Sequence, residues 1–565
     1  MRFSYSLPRV LALLSLPALA FAQQALTPPE IVEKPASFFP QPTYFRQAFR
    51  PASPRIELQA PVRISDFAVN GNIELSLRSY LELVLANNTD IAISRLTIDT
   101  AKTGILRAYG PFDPVGIAAF NSNRVSTPTN DLLAGAEELK TLSQPLQLGY
   151  QHTLESGTQY NVSFNGRKFT TNSDFANFNP AINTDLSFGF AQPLLRGRGQ
   201  AINRLPIMIA RSRLRQTEYT FHNSLLQLVN QAEVAYWRAI ELRENLRVQQ
   251  SSLKLAEEFL KRAQRELELG AISRLDIFQP EFQFAQAQGN VAQFEFQVQQ
   301  QDDILRRLMG IDLDPEYRKR TLVLTEAPTT PEDPRAIDAE AMVTRALGNR
   351  PDLRSTNQNI DIDDLQIRQA NNGLLPQLTL TGNYAAVGRG GVFFQRQNVF
   401  TETGDRATIV NVIPGGVGNA LSQMFGLNFP GYSFGLRLTL PIRNRAAQAD
   451  YAAAVIAKRR DMLQVRNVEQ QIRQDVLVAV SQVEASKATV ALAAKALDFA
   501  QKRLDAEQKK YDLGTSTIFL VLQAQNDLIS AQSALVRESV NFKRNETALL
   551  RATGELLEQR GIRVD

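Results

Sequence analysis

The chain has no cysteine, a single tryptophan and only two histidines, His152 and His222. Without thiols it can form no disulfide, zinc–thiolate centre, cysteine nucleophile or acylated amino-terminal cysteine. The histidines fall in unlike segments, one in a strand pattern and one in a helical pattern, and read as two unrelated surface residues. An excess of one charge is also missing. Lys and Arg number 62 and Asp and Glu 57, a net +5 spread along 565 residues, which gives no footprint for nucleic acid. No nucleophile elbow, metal cluster or phosphate loop is present; the Gly-rich stretch 387–431 reads as a loop, and its GRGG has no helix start behind it. These absences argue against an enzyme and predict no catalytic residue, cofactor or metal.

Long apolar runs are scarce too. Arg2 and Arg9 flank the start of a short run, Val10 to Leu19, followed by Ala20-Phe21-Ala22. A basic start, a short apolar run and an A-x-A site form a cleaved export signal, 1–22. The run falls short of the roughly 20 residues that a spanning helix needs, and no other segment reads as long and apolar enough to cross as a helix. A proline-rich stretch, 23–65, follows and reads as an extended arm.

What the chain has in abundance is itself. Asn87, Asp90 and Pro114 are each answered 262 residues later, by Asn349, Asp352 and Pro376. Pro193 is answered by Pro441, and Leu269-Gly270 by Leu513-Gly514. A duplication of this size decides the architecture. The first repeat, 66–310, reads as a helix, strands over 114–193, a long helix over 201–268 and a helix over 273–309. A linker, 311–335, precedes the second repeat, 336–555, with strands over 376–441, a long helix over 445–512 and a helix over 516–553. A tail, 556–565, ends the chain.

The long helices carry apolar residues in steps of three and four, including Leu225, Leu228, Ala232, Ala235, Ala239 and Leu242 in the first, and Val483, Val490, Ala493, Leu497 and Leu504 in the second. That heptad rhythm is the pattern of coiled-coil seams. Each rod would be roughly 100 Å long at 1.5 Å per residue. Between them the period drops to two. Leu146, Leu148 and Tyr150 alternate with polar residues, as do Leu186, Phe188 and Phe190, and Tyr432, Phe434, Leu436 and Leu438. A soluble half-buried sheet gives the same alternation. In an exported chain it also suits a barrel wall with lipid on Tyr432, Phe434, Leu436 and Leu438 and water behind them.

The duplicated order of elements, with LANNTDIAISRL and its partner LGNRPDLRSTNQ, and with the turns RELELGAISRLDIF and QKKYDLGTSTIFLV, resembles TolC-type outer-membrane efflux proteins over about 66–555. The resemblance implies an α+β membrane protein: a duplicated long-helix α-barrel, a coiled-coil tunnel, continuous with a β-barrel shared by a homotrimer. It implies a passive channel-tunnel in the outer membrane of a Gram-negative-type bacterium, reaching into the periplasm. The partners would be a periplasmic adaptor (membrane fusion) protein, an inner-membrane pump of the RND or ABC type and outer-membrane lipid, with no nucleic acid. The turns Leu269-Gly270 and Leu513-Gly514 would dock the adaptor, and the periplasmic end would be gated at Asp276 and Tyr511. Ser516 stands where the family pattern has its gate arginine, and Leu520 and Gln523 stand in place of its acidic ring. Arg274 or Asp512 would then substitute. Residue by residue, Ser273 to Asp276 reads equally as a capping box opening the next helix, Tyr511 as a seam residue, and both glycines as helix C-caps. The competing reading of the whole chain is a periplasmic coiled-coil scaffold or adaptor with a soluble β-domain.

Overall fold

A computed structural model describes residues 64–69, 72–129, 134–270, 273–327, 336–396 and 409–562. The export signal 1–22, nearly all of the arm 23–65, part of the linker (328–335) and the last three residues of the tail lie outside the described residues.

Each half opens with a capped pair of short helices. In the first, α1 (Leu77–Asn87) and α2 (Thr89–Tyr109) meet at Asn88, whose side chain accepts from the Asp90 amide at 2.9 Å and so caps α2. Helical periodicity suggested a helix from about Ile73, but Asn72–Leu75 is instead a strand. With β1 (Ala68–Val69) and β2 (Asn72–Leu75) as neighbours, β2 runs parallel to a strand of the linker (Thr321–Leu324). The run Ile73 and Leu75 alternates with polar residues, and both are fully buried.

The first sheet strands follow. They are β3 (Val115–Phe120), β4 (Asn123–Pro128), β5 (Glu138–Thr153), β6 (Gln159–Thr171) and β7 (Phe178–Pro193). A single helical turn, Gln200–Asn203, interrupts the chain before α3 (Leu205–Glu268), so the rod starts four residues later than its periodicity suggested. Pro206 sits in the first turn of α3, where its missing N–H costs nothing. Then come α4 (Phe278–Leu308) and β8 (Thr321–Leu324).

The second half repeats the plan. Helices α5 (Ala339–Asn349) and α6 (Pro351–Gly373) lead to β9 (Gln377–Arg396) and β10 (Ile409–Ile413). After α7 (Val417–Phe425) and β11 (Pro430–Thr439) come the rod α8 (Arg445–Asp512), α9 (Ile518–Thr553) and α10 (Leu556–Gln559). The tail is therefore partly helical. Val115 and Gln377, the first residues of β3 and β9, keep the same 262-residue offset, each directly after its framing proline.

The rods are 64 and 68 residues long. Around the middle of α3, Phe221, Leu225, Val229, Ala232, Tyr236 and Trp237 bury against α1, β2 and the end of α4. Each large side chain taken from water there contributes about 1.5–3 kcal/mol. The equivalent stretch of α8, from Ile472 to Val490, buries against α5 and α9. Away from these centres the rods are clothed on one side only. Ile456, Leu463, Leu492 and Phe499 of α8 are exposed. By length and composition α8 also contains an 18-residue window apolar enough to cross a membrane, with mean hydropathy 1.4, contrary to the sequence expectation. Its apolarity comes from the Ala and Val of a packing seam, within a rod far longer than a bilayer is thick.

The remaining difference is in 387–431. Glycine content suggested a loop there. Instead β9 continues to Arg396, and α7 folds back over it. Its glycines are there for contact: a Cβ on Gly388 would lie 1.9 Å from the carbonyl oxygen of Ala420, and one on Gly390 2.1 Å from that of Gly416. Ala420 and Met424 of α7 are fully buried against this strand.

Candidate functional site

The large sheet runs in the order β11, β9, β7, β6, β5, β3. Strand β10 extends the β11 edge of β9 farther along, and β4 does the same for the β3 edge of β5. Every pair among the main strands is antiparallel. The register keeps the two faces chemically distinct from β11 to β5, while β3 (VGIAAF) is apolar or small on both faces. One row reads Tyr432, Tyr384, Phe188, Val162, Tyr150 and Gly116 across all six strands. The adjacent row, on the opposite face, reads Ser433, Asn383, Gly189, Asn161, Gln151 and Val115. A slip of one residue in any strand would break both rows.

The polar face is stitched by its own side chains. Ser163 and Ser187 hydroxyls lie 2.7 Å apart, and Asn165 donates to Asp185 at 2.8 Å. The apolar face is open. Tyr432, Phe434, Leu436 and Leu438 are 77%, 73%, 65% and 60% exposed. Phe188, Leu148 and Tyr150 on the same face are exposed as well. A soluble sheet would cover such a surface, because a contiguous apolar patch of this extent is a liability in water.

At the opposite end of the rods are the turns. Each rod ends on a left-handed glycine, Gly270 at φ 71° and Gly514 at φ 73°. The Thr515 amide donates to the Lys510 carbonyl and that of Gly514 to Tyr511, a Schellman closure. A Cβ at either glycine would meet nothing within 4 Å, so glycine is required here by backbone conformation and not by space. The preceding leucines project outward, Leu269 83% and Leu513 79% exposed.

Of the four gate candidates, two come together. The Tyr511 hydroxyl donates to Glu266 at 3.0 Å, and Asp512 pairs with Arg262 at 3.2 Å. Arg262 also bonds Glu266 at 3.0 Å and lies over the Tyr511 ring. Burial, and then the bond to Glu266, push the Tyr511 phenol above its ordinary value. The bond to Glu266 chiefly raises Arg262, with Asp512 adding to it. Tyr511 also packs with Phe259, Val521 and Leu522, so it is a seam residue and a hydrogen-bond donor at once. Arg274 and Asp276 stay in the first turn. Asp276 accepts from the Ser273 amide at 3.0 Å, and Ser273 accepts from the Leu275 amide. This capping pattern closes a turn ahead of α4, which begins two residues later, at Phe278, instead of opening the helix itself. Ser516, at the gate-arginine position, donates to Glu507 at 2.9 Å.

Arg262 and Glu266 were not singled out from sequence. Their signal was an i,i+4 charged pair in the last turns of a rod, just ahead of its Leu-Gly break.

The sheet presents one greasy and one wet face and is carried on two rods of about 100 Å. Residues 342–555 match the family model described as outer membrane efflux protein. The chain is 25% identical over 515 residues to the outer membrane efflux protein BepC of Brucella suis biovar 1, covering 89% of this chain and 91% of that protein. Among solved structures, the Campylobacter jejuni CmeC outer membrane channel is similar at a TM-score of 0.60, with 14% identity over 89% of this chain and 90% of that one. The open state of the Neisseria gonorrhoeae MtrE outer membrane channel gives 0.56, with 16% identity over 85% and 89%. Residues 342–555 thus carry the sequence pattern of outer membrane efflux proteins, and the chain as a whole shares the fold of these outer membrane channels.

Proposed function

We propose that three copies of this chain form a passive conduit that carries solutes from an inner-membrane pump and its periplasmic adaptor to the outside. The observation that carries the reading is the six-strand register. It holds apolar residues on one face and polar residues on the other from β11 to β5, and outside the patch covered by α7 the apolar face is bare. In lipid a sheet survives only if its edges are closed, and the edges of one chain are open. Neighbouring copies supply the closure and cover the exposed seam residues of α8. Outer-membrane lipid covers Tyr432, Phe434, Leu436 and Leu438. The exposed apolar face counts against the soluble scaffold, which would need it buried.

The tips have two roles in this reading. Leu269-Gly270 and Leu513-Gly514 present leucines on rigid turns to helical hairpins of an adaptor. The Arg262, Glu266, Tyr511 and Asp512 cluster ties α3 to α8 and acts as the intrachain part of the periplasmic latch, keeping Tyr511 and Asp512 of the expected gate residues and adding Arg262 and Glu266. Transport energy comes from the pump, of RND or ABC type, since the chain's own groups are assigned no catalysis. Membrane fractionation with unheated gel mobility is the direct test, followed by conductance of the purified protein in a planar bilayer. A heat-sensitive trimer in the outer membrane with a small, rarely opening pore is the expected result. A soluble monomer, or no pore, overturns the reading.

A further inference from the structure

We infer that the barrel closed by this protein has eighteen strands, six from each of three copies, with the β5–β6 hairpin built into its wall. The inference rests on the trimeric channel reading proposed above.

Strand β6 is hydrogen-bonded on both of its edges. It pairs with β5 from Gln159 to Thr171 and with β7 from Gln159 to Phe169. Its faces continue those of its neighbours: Val162 stands between Tyr150 and Phe188, and Ser163 between Gly149 and Ser187. A hairpin folded away from the wall would have neither property. Its turn is also moored to the start of the first rod. The Gly199 amide donates to the Ser156 carbonyl at 3.0 Å, and Glu155 pairs with Arg204 at 3.1 Å. A Cβ on Gly157 would lie 2.5 Å from the Gly197 carbonyl oxygen, which fixes how closely the turn sits there.

The free edges then fit one another. Strand β3 leads away from the helices and β11 leads back to them, so β3 of one copy meets β11 of the next in antiparallel sense. That continues the up-and-down alternation already present. Three copies of six strands give an even count, as antiparallel closure requires. With strands about 4.8 Å apart and tilted about 40°, eighteen enclose roughly 36 Å from backbone to backbone, and twelve would enclose about 24 Å. Eighteen lies in the range where barrels leave an open aqueous channel and are not filled by side chains.

The absence of native cysteine makes the test clean. Single variants Val162→Cys and Ser163→Cys place a thiol on the two faces of β6, and Leu436→Cys places one on the apolar face of β11. Each is made in the full chain, embedded in bilayer as a trimer, and exposed to a charged, water-soluble maleimide or to a lipid-partitioning one. With the hairpin in the wall, Val162→Cys loses labelling by the charged reagent, as Leu436→Cys does, while Ser163→Cys keeps it. If both β6 variants label from water while Leu436→Cys stays protected, the hairpin hangs outside the wall and the strand count falls to twelve. That outcome overturns this inference and leaves the channel intact. Labelling of Leu436→Cys from water would instead remove the lipid-facing sheet, and the channel with it. A direct strand count in the electron-microscopy density of the trimer gives an independent answer, eighteen or fewer.

Discussion

Tyr511, three residues before the glycine that follows the second rod, donates its hydroxyl to Glu266, four residues before the glycine that follows the first, at 3.0 Å across 245 residues of chain. The bond is local to the tips, and Arg262 completes it from the Glu266 side. Tyr511→Phe removes one charge-assisted hydrogen bond while keeping the ring against Phe259, at a cost of about 1–2 kcal/mol. Arg262→Ala removes two ion pairs and the stacking at once. The expected outcome is more frequent opening in planar bilayers for both, larger for Arg262→Ala. Unchanged opening would remove the cluster from the latch.

The same contact has a defined pH response. The Tyr511 phenol is raised, so its contribution is complete at neutral pH, below the ordinary tyrosine value. It is lost only as the pH climbs through the raised one. Difference absorbance of the phenolate between the native protein and Tyr511→Phe should show this tyrosine ionising later than free tyrosine. An ordinary or early titration would contradict the buried bond to Glu266.

The two faces of β11 make a paired prediction. Leu436→Arg puts a charge on the apolar face, costing about 2–4 kcal/mol near the bilayer midplane. Ser433→Arg puts the same charge on the polar face, where water is available. The yield of heat-sensitive trimer should fall for the first and hold for the second. Equal losses would mean that the faces are not lipid and lumen.

Glu233 is fully buried, held by two bonds from Arg560 at 2.6 and 2.9 Å and one from Thr547 at 2.8 Å. Arg560→Ala leaves that carboxylate buried without its cation, at a cost of about 3–5 kcal/mol. Thermal unfolding of the purified protein should show the loss, and the double variant Glu233→Gln with Arg560→Ala should recover part of it.

Glycines of different kinds should respond differently. Gly514→Ala costs about 1 kcal/mol through its left-handed backbone, with free space around it. Gly388→Ala has no such backbone strain but drives a methyl group into the Ala420 carbonyl, so α7 must move. Limited proteolysis should accelerate at the rod tip for the first, and between 409 and 430 for the second.

These contrasts also mark what sequence can carry. The rods were legible because heptad periodicity accumulates over several repeats, and the strands because polar and apolar residues alternate without interruption from Leu146 to Tyr150 and from Tyr432 to Leu438. The helix over Gly388 and Gly390 was hidden, because a glycine that admits a neighbour looks, in one dimension, like a glycine that bends a loop. Arg262 and Glu266 were hidden for a related reason. An i,i+4 pair on a rod is ordinary until Tyr511, far away in sequence, is placed beside it. Asp276 stood out by position, and its carboxylate accepts from the Ser273 amide of its own turn.

The hairpin of β5 and β6 has a last consequence. The helical halves repeat, but strands are apportioned four to the first half and two to the second. In the proposed trimer the perimeter below the membrane would therefore divide into six nearly equal sectors, while within it the same perimeter would divide unequally. The short connectors 194–204, 374–376 and 440–444 are where that trimer would convert one spacing into the other, which would make the collar between bilayer and periplasm its least symmetric level.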